Sequence, residues 1–280
     1  MNPRRLFLFS LTLLCGFLLL QSALAPAQES ANSASALPQA EINRIIRAFS
    51  AKEAEFRQAL NQYSFKRDAV IQQIGMGGQI AGEYHRVSQF IFDDKGVKSE
   101  KIVFFPLPNL PGLQITLDDL EDLGGVNAFA LEVAKIDQYN FTYAGKERID
   151  ELDLYVFDVA PKVMPDPKKT RERFFQGRIW VDDHDLQIVK TRGKGVPETK
   201  ESKFPIYDTY REHIDGRFWF PTYAYSDEEL VFGNGSVLHV RARIRYSDYK
   251  RARGTATVIF DDEPEPTPTP SPTPPPRRKP

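Results

Sequence analysis

Cysteine is almost absent: Cys15 is the only one, and it lies inside an apolar run near the N-terminus. No disulfide can form within the chain, and thiol catalysis has no nucleophile beyond that position. Histidine is scarce too. His85, His184, His213 and His239 fall on different segments, with no pair at a zinc-ligand spacing. There is no G-x-S-x-G, and the one S-x-x-K, Ser247 to Lys250, falls on a strand pattern, where residues three apart point to opposite faces. Neither charge sign dominates: 37 Lys and Arg stand against 38 Asp and Glu, so nothing calls for nucleic acid or an acidic membrane. A repeat of fixed length is also missing.

The cluster Asp182-Asp183-His184-Asp185 brings carboxylates and an imidazole together, but it does not match a calcium loop and reads as a solvated hairpin tip. Glu212 and the pair Glu228-Glu229 give no specific signal for acid–base work. The expectation is a non-enzymatic protein with no catalytic residues, no metal and no cofactor.

The N-terminus carries an address. Arg4 and Arg5 precede an apolar run from Leu6 to Leu20, and Ala25-Pro26-Ala27 supplies an A-x-A cleavage site. Residues 1–27 therefore read as a secretory signal peptide, which places the protein in the periplasm. Leu14 stands before Cys15 where lipoprotein processing wants a small residue, so no lipidation is expected there. Residues 28–37 form a polar, flexible lead. At the other end, residues 263–280 are a Pro/Thr/Ser tail closed by Arg277, Arg278 and Lys279, either a spacer or an unstructured remnant. Residues 38–262 suffice for one domain whose core holds by burial alone.

Within that domain, Ile42, Ile45, Ile46, Phe49, Phe56 and Leu60 recur at helical spacing from about Pro38 to Asn61. From Tyr63 the period becomes two, and strands are expected near 63–72, 81–92 and 97–105. Pro106, Pro108 and Pro111 then break the rhythm, and Thr116 with Asp119 forms a capping box for a short helix through Leu123. An apolar, Pro-rich insertion of this kind commonly covers something. The meander resumes with Tyr139, Phe141 and Tyr143. Leu152 to Val159 is apolar at both parities, so both faces of that strand are covered.

Gly177 to Lys190 is a hairpin of two β-prone runs around a polar turn. Asp215-Gly216 marks another, with a two-residue turn that would put Ile214 and Tyr210 on one face with Trp219 and Tyr223, and Phe218 and Phe220 on the other. The last strand has a dry face, Leu238 to Tyr246, and a cationic one. There Arg241, Arg243 and Arg245 could grip an anionic group or a partner, or simply pair with acids on the neighbouring strand.

Aromatics are abundant at positions where both strand faces read as dry. One reading is a large packed core with covering loops. The other is a sheet curved around a helix, one face of which receives an apolar ligand. Its candidate lining residues are Phe65, Tyr139, Phe141, Tyr143, Phe157, Trp180, Trp219 and Tyr223.

The exported start, the first helix, Gly82-Glu83-Tyr84, Glu151 to Phe157, the Gly177 to Lys190 hairpin and Tyr210 to Thr222 together resemble a group of secreted bacterial proteins labelled outer-membrane lipoprotein-sorting proteins. The likeness covers about Ala40 to Phe260 and extends, at the level of fold, to the lipoprotein carrier LolA. It implies an α+β fold: a strongly curved antiparallel half-barrel covered by an N-terminal amphipathic helix and short lid helices. It also implies an apolar cavity for the acyl chain of a lipid or lipoprotein. The alternative is a cell-envelope interaction or sensor module that uses the half-barrel as a platform for an envelope protein.

Overall fold

The computed structural model describes residues 37–93, 97–116, 119, 131, 133–170 and 172–252. The signal segment, most of the lead, the Pro-rich tail, the turn at 94–96 and all but Asp119 of the helix expected after Thr116 lie outside the described residues.

The 3.6-residue pattern makes helix α1, Gln39–Leu60, whose buried stripe runs through Ile45, Phe49, Phe56, Ala59 and Leu60. Pro38 opens the helix by accepting backbone bonds from Glu41 and Ile42, and Asn61 ends it. Ser50 and Glu53 lie on the same buried stripe. Ser50 satisfies its hydroxyl on the Ile46 carbonyl at 2.6 Å, whereas Glu53 needs a partner from elsewhere.

The period-two segments make ten strands. They are β1 Tyr63–Ile74, β2 Ile80–Phe92, β3 Lys98–Phe104, β4 Tyr139–Ile149, β5 Leu152–Pro161, β6 Phe174–Asp182, β7 Ile188–Val196, β8 Tyr207–Ile214, β9 Phe218–Val231 and β10 Val237–Arg251. A four-residue helix, α2, Val133–Ile136, precedes β4. All pairings are antiparallel in one sheet of order β3-β2-β1-β10-β9-β8-β7-β6-β5-β4, so the first and last strands pair inside the sheet, as its third and fourth, and the sheet stays open.

The sheet curves around α1. Five strand spacings separate β4 from β9, about 24 Å on a flat sheet. Phe49 and Phe56 stand only about 10 Å apart along the helix axis. Even so, Phe49 packs against Phe141 of β4 and Phe157 of β5, at 5.6 and 5.9 Å between ring centroids, while Phe56 packs against Phe220 of β9 at 5.7 Å. Bending of the sheet, with the reach of the rings, closes that gap.

Along β1 the alternation is realised as read, with Tyr63, Phe65, Ala69 and Ile71 buried on the helix side. On β5 both faces are buried, as its double parity requires. Phe157 and Val159 face the helix, and Leu154 and Val156 join Trp180 and Val189 in a small cluster on the opposite face. One register differs from the sequence reading. Asp215 and Gly216 both adopt positive φ, but Arg217 also belongs to the turn, so Ile214 pairs with Phe218 and His213 with Trp219. The extra residue moves Ile214 to the face of Phe218 and Phe220, away from Trp219.

Candidate functional site

A cavity of about 460 Å³ opens on the helix-side face where the Pro-rich segment crosses the sheet. Its floor is Ile71 of β1, Val240 of β10 and Leu230 of β9, with Tyr207 at the start of β8. Alternation puts these side chains on the dry face, and Ile71 and Val240 are almost fully buried. Its roof is irregular backbone: Gly112, Leu113 and Ile115 from the Pro-rich segment, and Phe204 and Pro205 from the loop between β7 and β8.

Both roof elements are tied down locally. Asn109 exchanges two backbone hydrogen bonds with Glu83 of β2, at 2.7 and 3.0 Å. This close approach needs glycine next door, since a Cβ at Gly82 would overlap the Asn109 carbonyl. The capping box is present. Thr116 donates to the Asp119 carboxylate through N–H and Oγ1, at 2.9 and 2.7 Å, and the Asp119 N–H donates back to Thr116 Oγ1 at 3.2 Å. In the β7–β8 loop, Glu198 accepts from the Phe204 N–H at 3.1 Å and pairs with Lys194 at 3.0 Å. Burial opposes its charge, but these bonds hold its carboxyl below the usual carboxylate range.

The rim is polar. Arg173 pairs with Asp119 at 3.1 Å and lies 4.4 Å over the Phe204 ring, and Glu201, Ser202 and Lys203 complete the mouth. Burial pushes the Tyr207 hydroxyl well above its ordinary pKa, helped by the neighbouring Tyr246 and Asp119. An apolar space of this size with a few polar groups at its edge lies within the usual range for small-ligand pockets.

The residues chosen from the sequence lie elsewhere. Tyr139, Phe141, Tyr143 and Phe157 come together on β4 and β5, but around Phe49, in a packed aromatic cluster. Tyr139 also accepts the Phe175 N–H at 3.1 Å. Phe65 faces the helix side and is stacked on Phe90 at 4.5 Å, with Tyr249 beside it. Trp180, Trp219 and Tyr223 are on the face opposite the helix, because their neighbours Ile179, Phe220 and Ala224 are the inward ones. Trp180 donates to Glu147 at 2.6 Å and Trp219 to Asp185 at 2.8 Å. Arg241, Arg243 and Arg245 share that opposite face. Asp227 of β9 takes Arg241 at 3.0 Å, the cross-strand partner anticipated for it, while Arg243 and Arg245 are exposed.

Three features escaped the sequence reading. Ile71, Val240 and Leu230 are aliphatic and sit in ordinary alternation, so only the Pro-rich segment hinted that something lay beneath it. Tyr207 and Phe204 reach the cavity through a loop. The third is an ion pair: Arg211 of β8 grips Glu53 of α1 through its two terminal guanidinium nitrogens, at 2.5 and 3.1 Å, with both side chains buried and the guanidinium 4.6 Å from the Phe56 ring.

No protein-family model matches the chain. Among curated proteins, a probable phosphoribosylformylglycinamidine synthase from Caenorhabditis elegans is 31% identical over 113 residues, which span 40% of this chain and 8% of that protein. Among solved structures, the chain is similar to a LolA superfamily protein from Nitrosomonas europaea at 14% identity and a TM-score of 0.33, covering 72% of this chain and 94% of that one. It is similar to a DUF1329 family protein from Desulfovibrio piger at 16% identity and a TM-score of 0.35, covering 75% and 94%. A putative outer membrane lipoprotein-sorting protein domain from Vibrio parahaemolyticus gives 11% identity and 0.34, again covering 75% and 94%.

Proposed function

We propose that this chain is an exported, non-catalytic binding or carrier protein that holds one acyl chain, or a ligand of similar shape, in the cavity beneath the Pro-rich segment. The observation that supports this is the cavity itself: an aliphatic floor from three strands, a roof of two loops and a polar rim at one end. A chain laid on that floor would leave its head group at the rim beside Arg173 and Lys203. Each buried methylene contributes about 0.8 kcal/mol, so roughly ten of them account for micromolar binding before ordering costs are deducted. Affinity of this origin tolerates many head groups.

The test is mass spectrometry of organic extracts from protein purified without detergent, together with Nile red titration of the delipidated protein. Recovery of a chain-bearing lipid at near-stoichiometric yield and saturable dye uptake are expected. An empty extract with no dye uptake would remove the carrier reading.

A second reading, an envelope interaction module, is favoured by one edge of the sheet. Strand β3 presents Ile102, Val103 and Phe104 about half exposed, at 49%, 55% and 49%, and an apolar edge of this kind can accept an added strand. On this reading Arg243 and Arg245 of the opposite face are the candidate partner contacts. Recovery of a protein partner by the delipidated chain, lost on substituting β3, would support it.

A further inference from the structure

Because all pairings are antiparallel, the connections between strands gather at two ends of the sheet. The pairs Ile74 with Ile80, Val231 with Val237, Phe174 with Val196 and Tyr139 with Pro161 trace one end. The connections after β1, β3, β5, β7 and β9 leave from it, and those after α1, β2, β4, β6 and β8 lie at the other. The second end is acidic. Its described residues include Asp93, Asp150, Glu151, Asp183, Asp185 and Asp215 against Arg217. The first end carries the three most exposed large hydrophobic side chains among the described residues. Met76 after β1 is wholly exposed, Leu107 after β3 is 94% exposed and Val163 after β5 is 79% exposed. Met164, together with Val231 and Val237 around the turn after β9, is more than half exposed.

Single exposed hydrophobics are ordinary, but six at one end, spread over four connections, mark a surface that meets something apolar. We infer that this end docks on a lipid bilayer bearing anionic head groups, with Met76, Leu107 and Val163 inserted at head-group depth. The apolar tips stand apart, since the exposed polar side chains of Asn234, Ser236 and Lys200 fall between Met76 and Val163 in strand order. A stable protein interface needs a contiguous, close-packed apolar centre, whereas a bilayer surface mixes polar head groups with acyl chains over any such pattern. Charge complements that choice. Residues 162–173, which carry Val163, hold five Lys and Arg against two Asp and Glu. Lys162 and Lys168 are exposed, and Lys169 meets Asp166 only at 3.8 Å. Ammonium groups beside an apolar tip reach lipid phosphates while the tip lies among the chains.

The cavity opens at the same end. Its rim residues Glu201, Ser202 and Lys203 follow β7, and its roof residues Gly112, Leu113 and Ile115 follow β3. Docking therefore brings the mouth against the bilayer and turns the acidic end away from the anionic surface. On the carrier reading, an acyl chain then passes between bilayer and cavity without crossing water, but the docking face itself stands on the exposed tips alone.

The experiment exploits the single cysteine. In a Cys15→Ser background of the exported chain, Met76→Cys and Val163→Cys place the polarity-sensitive dye NBD at the apolar end, and Glu151→Cys places it at the acidic end. Vesicles of phosphatidylethanolamine with phosphatidylglycerol should raise NBD emission several-fold at 76 and 163 and leave it unchanged at 151. Partition into phosphatidylcholine vesicles should be several-fold weaker. The triple variant Met76→Ser, Leu107→Ser, Val163→Ser should partition about tenfold less into the anionic vesicles. Its melting temperature should not change, because these side chains already face solvent. Dark labels at 76 and 163, an equal rise at 151, equal partition into both kinds of vesicle, or undiminished partition of the triple variant would overturn the inference. So would a native dimer in solution that the triple variant abolishes, since the tips would then serve a second copy of the chain. Nile red uptake by the same samples reads the cavity separately, so the carrier reading stands or falls on its own.

Discussion

The helix-side face of the sheet has two regions built from similar residues to different ends. Beneath α1, rings fill the space. Phe49 meets Phe141 and Phe157, and Phe56 meets Phe220, which in turn touches Tyr63 and Tyr249. Beneath the Pro-rich segment the floor is aliphatic, and the roof is a chain interrupted by prolines that cannot present a regular packing surface. A helix offers a continuous stripe of side chains at fixed spacing, so it can be matched to a sheet without voids. An irregular strap offers a few contacts and leaves space. The difference teaches that room for a ligand follows from what covers the sheet, more than from how apolar the sheet is.

The sharpest way to break this contrast is truncation in the filled region. Phe49→Ala removes a fully buried ring from the meeting point of α1, β4 and β5, and should lower stability by about 3–5 kcal/mol. Urea unfolding followed by circular dichroism measures it, with an unchanged slope confirming that the native fold persists. A loss below about 1 kcal/mol would mean that this region is loosely packed and that the cavity extends into it.

Breaking the Arg211–Glu53 pair comes next. Glu53→Gln leaves a buried guanidinium without its charge partner and should cost about 3 kcal/mol. The double variant Glu53→Leu with Arg211→Met should regain most of that loss, because no buried charge is left unmatched. The same urea series reads both. If the pair instead holds α1 in place for function, the double variant will be stable but altered in Nile red affinity.

The pH profile separates the regions more gently. Burial pulls the Lys98 ammonium down to about 8 from an ordinary value of 10.5, beside the Leu60 carbonyl at 2.7 Å. Its unfolded form holds the proton through that interval while its folded form does not, so this group makes stability rise from about pH 8 to 10.5. Burial raises Tyr207, Tyr246 and Tyr249 above their ordinary value of 10.0. The unfolded chain releases those protons first, so stability falls as the pH climbs past 10. Alkaline titration of tyrosine absorbance should show these three ionising only with unfolding. Bound ligand should delay Tyr207, at the cavity, more than the other two.

Much of this was legible locally. The helix could be delimited because its apolar residues recur at 3.6, and β5 could be called two-sided because both its parities are apolar. Glu53 was also readable in principle: it sits four residues after Phe49 and three before Phe56, on the buried stripe, where a lone carboxylate implies a distant cation. That cation, 158 positions away, was not. The aromatic candidates for the lining do not border the cavity beneath the Pro-rich segment. Large rings at inward positions such as Phe141 and Phe157 fill space against Phe49, and Trp180 and Trp219 lie on the other face with their N–H groups bonded to Glu147 and Asp185. Which rings close on each other depends on sheet curvature and on Phe49, a long-range outcome that period-two reading cannot supply.

The smallest effect on stability is expected where the effect on binding is largest. Leu113 belongs to the roof, is half-buried and packs against the core only as part of the strap. Leu113→Ala trims a half-buried side chain on an irregular segment, so unfolding free energy should fall by less than about 1 kcal/mol. A chain seated beneath the strap would lose the apolar surface above it, and Nile red affinity should drop roughly fivefold to tenfold. The same change at Phe49 should reverse the ratio, with a large loss of stability and little change in dye affinity per folded molecule. Parallel losses at both positions would mean that strap and helix form one cover, and the two regions would then have to be treated as a single core.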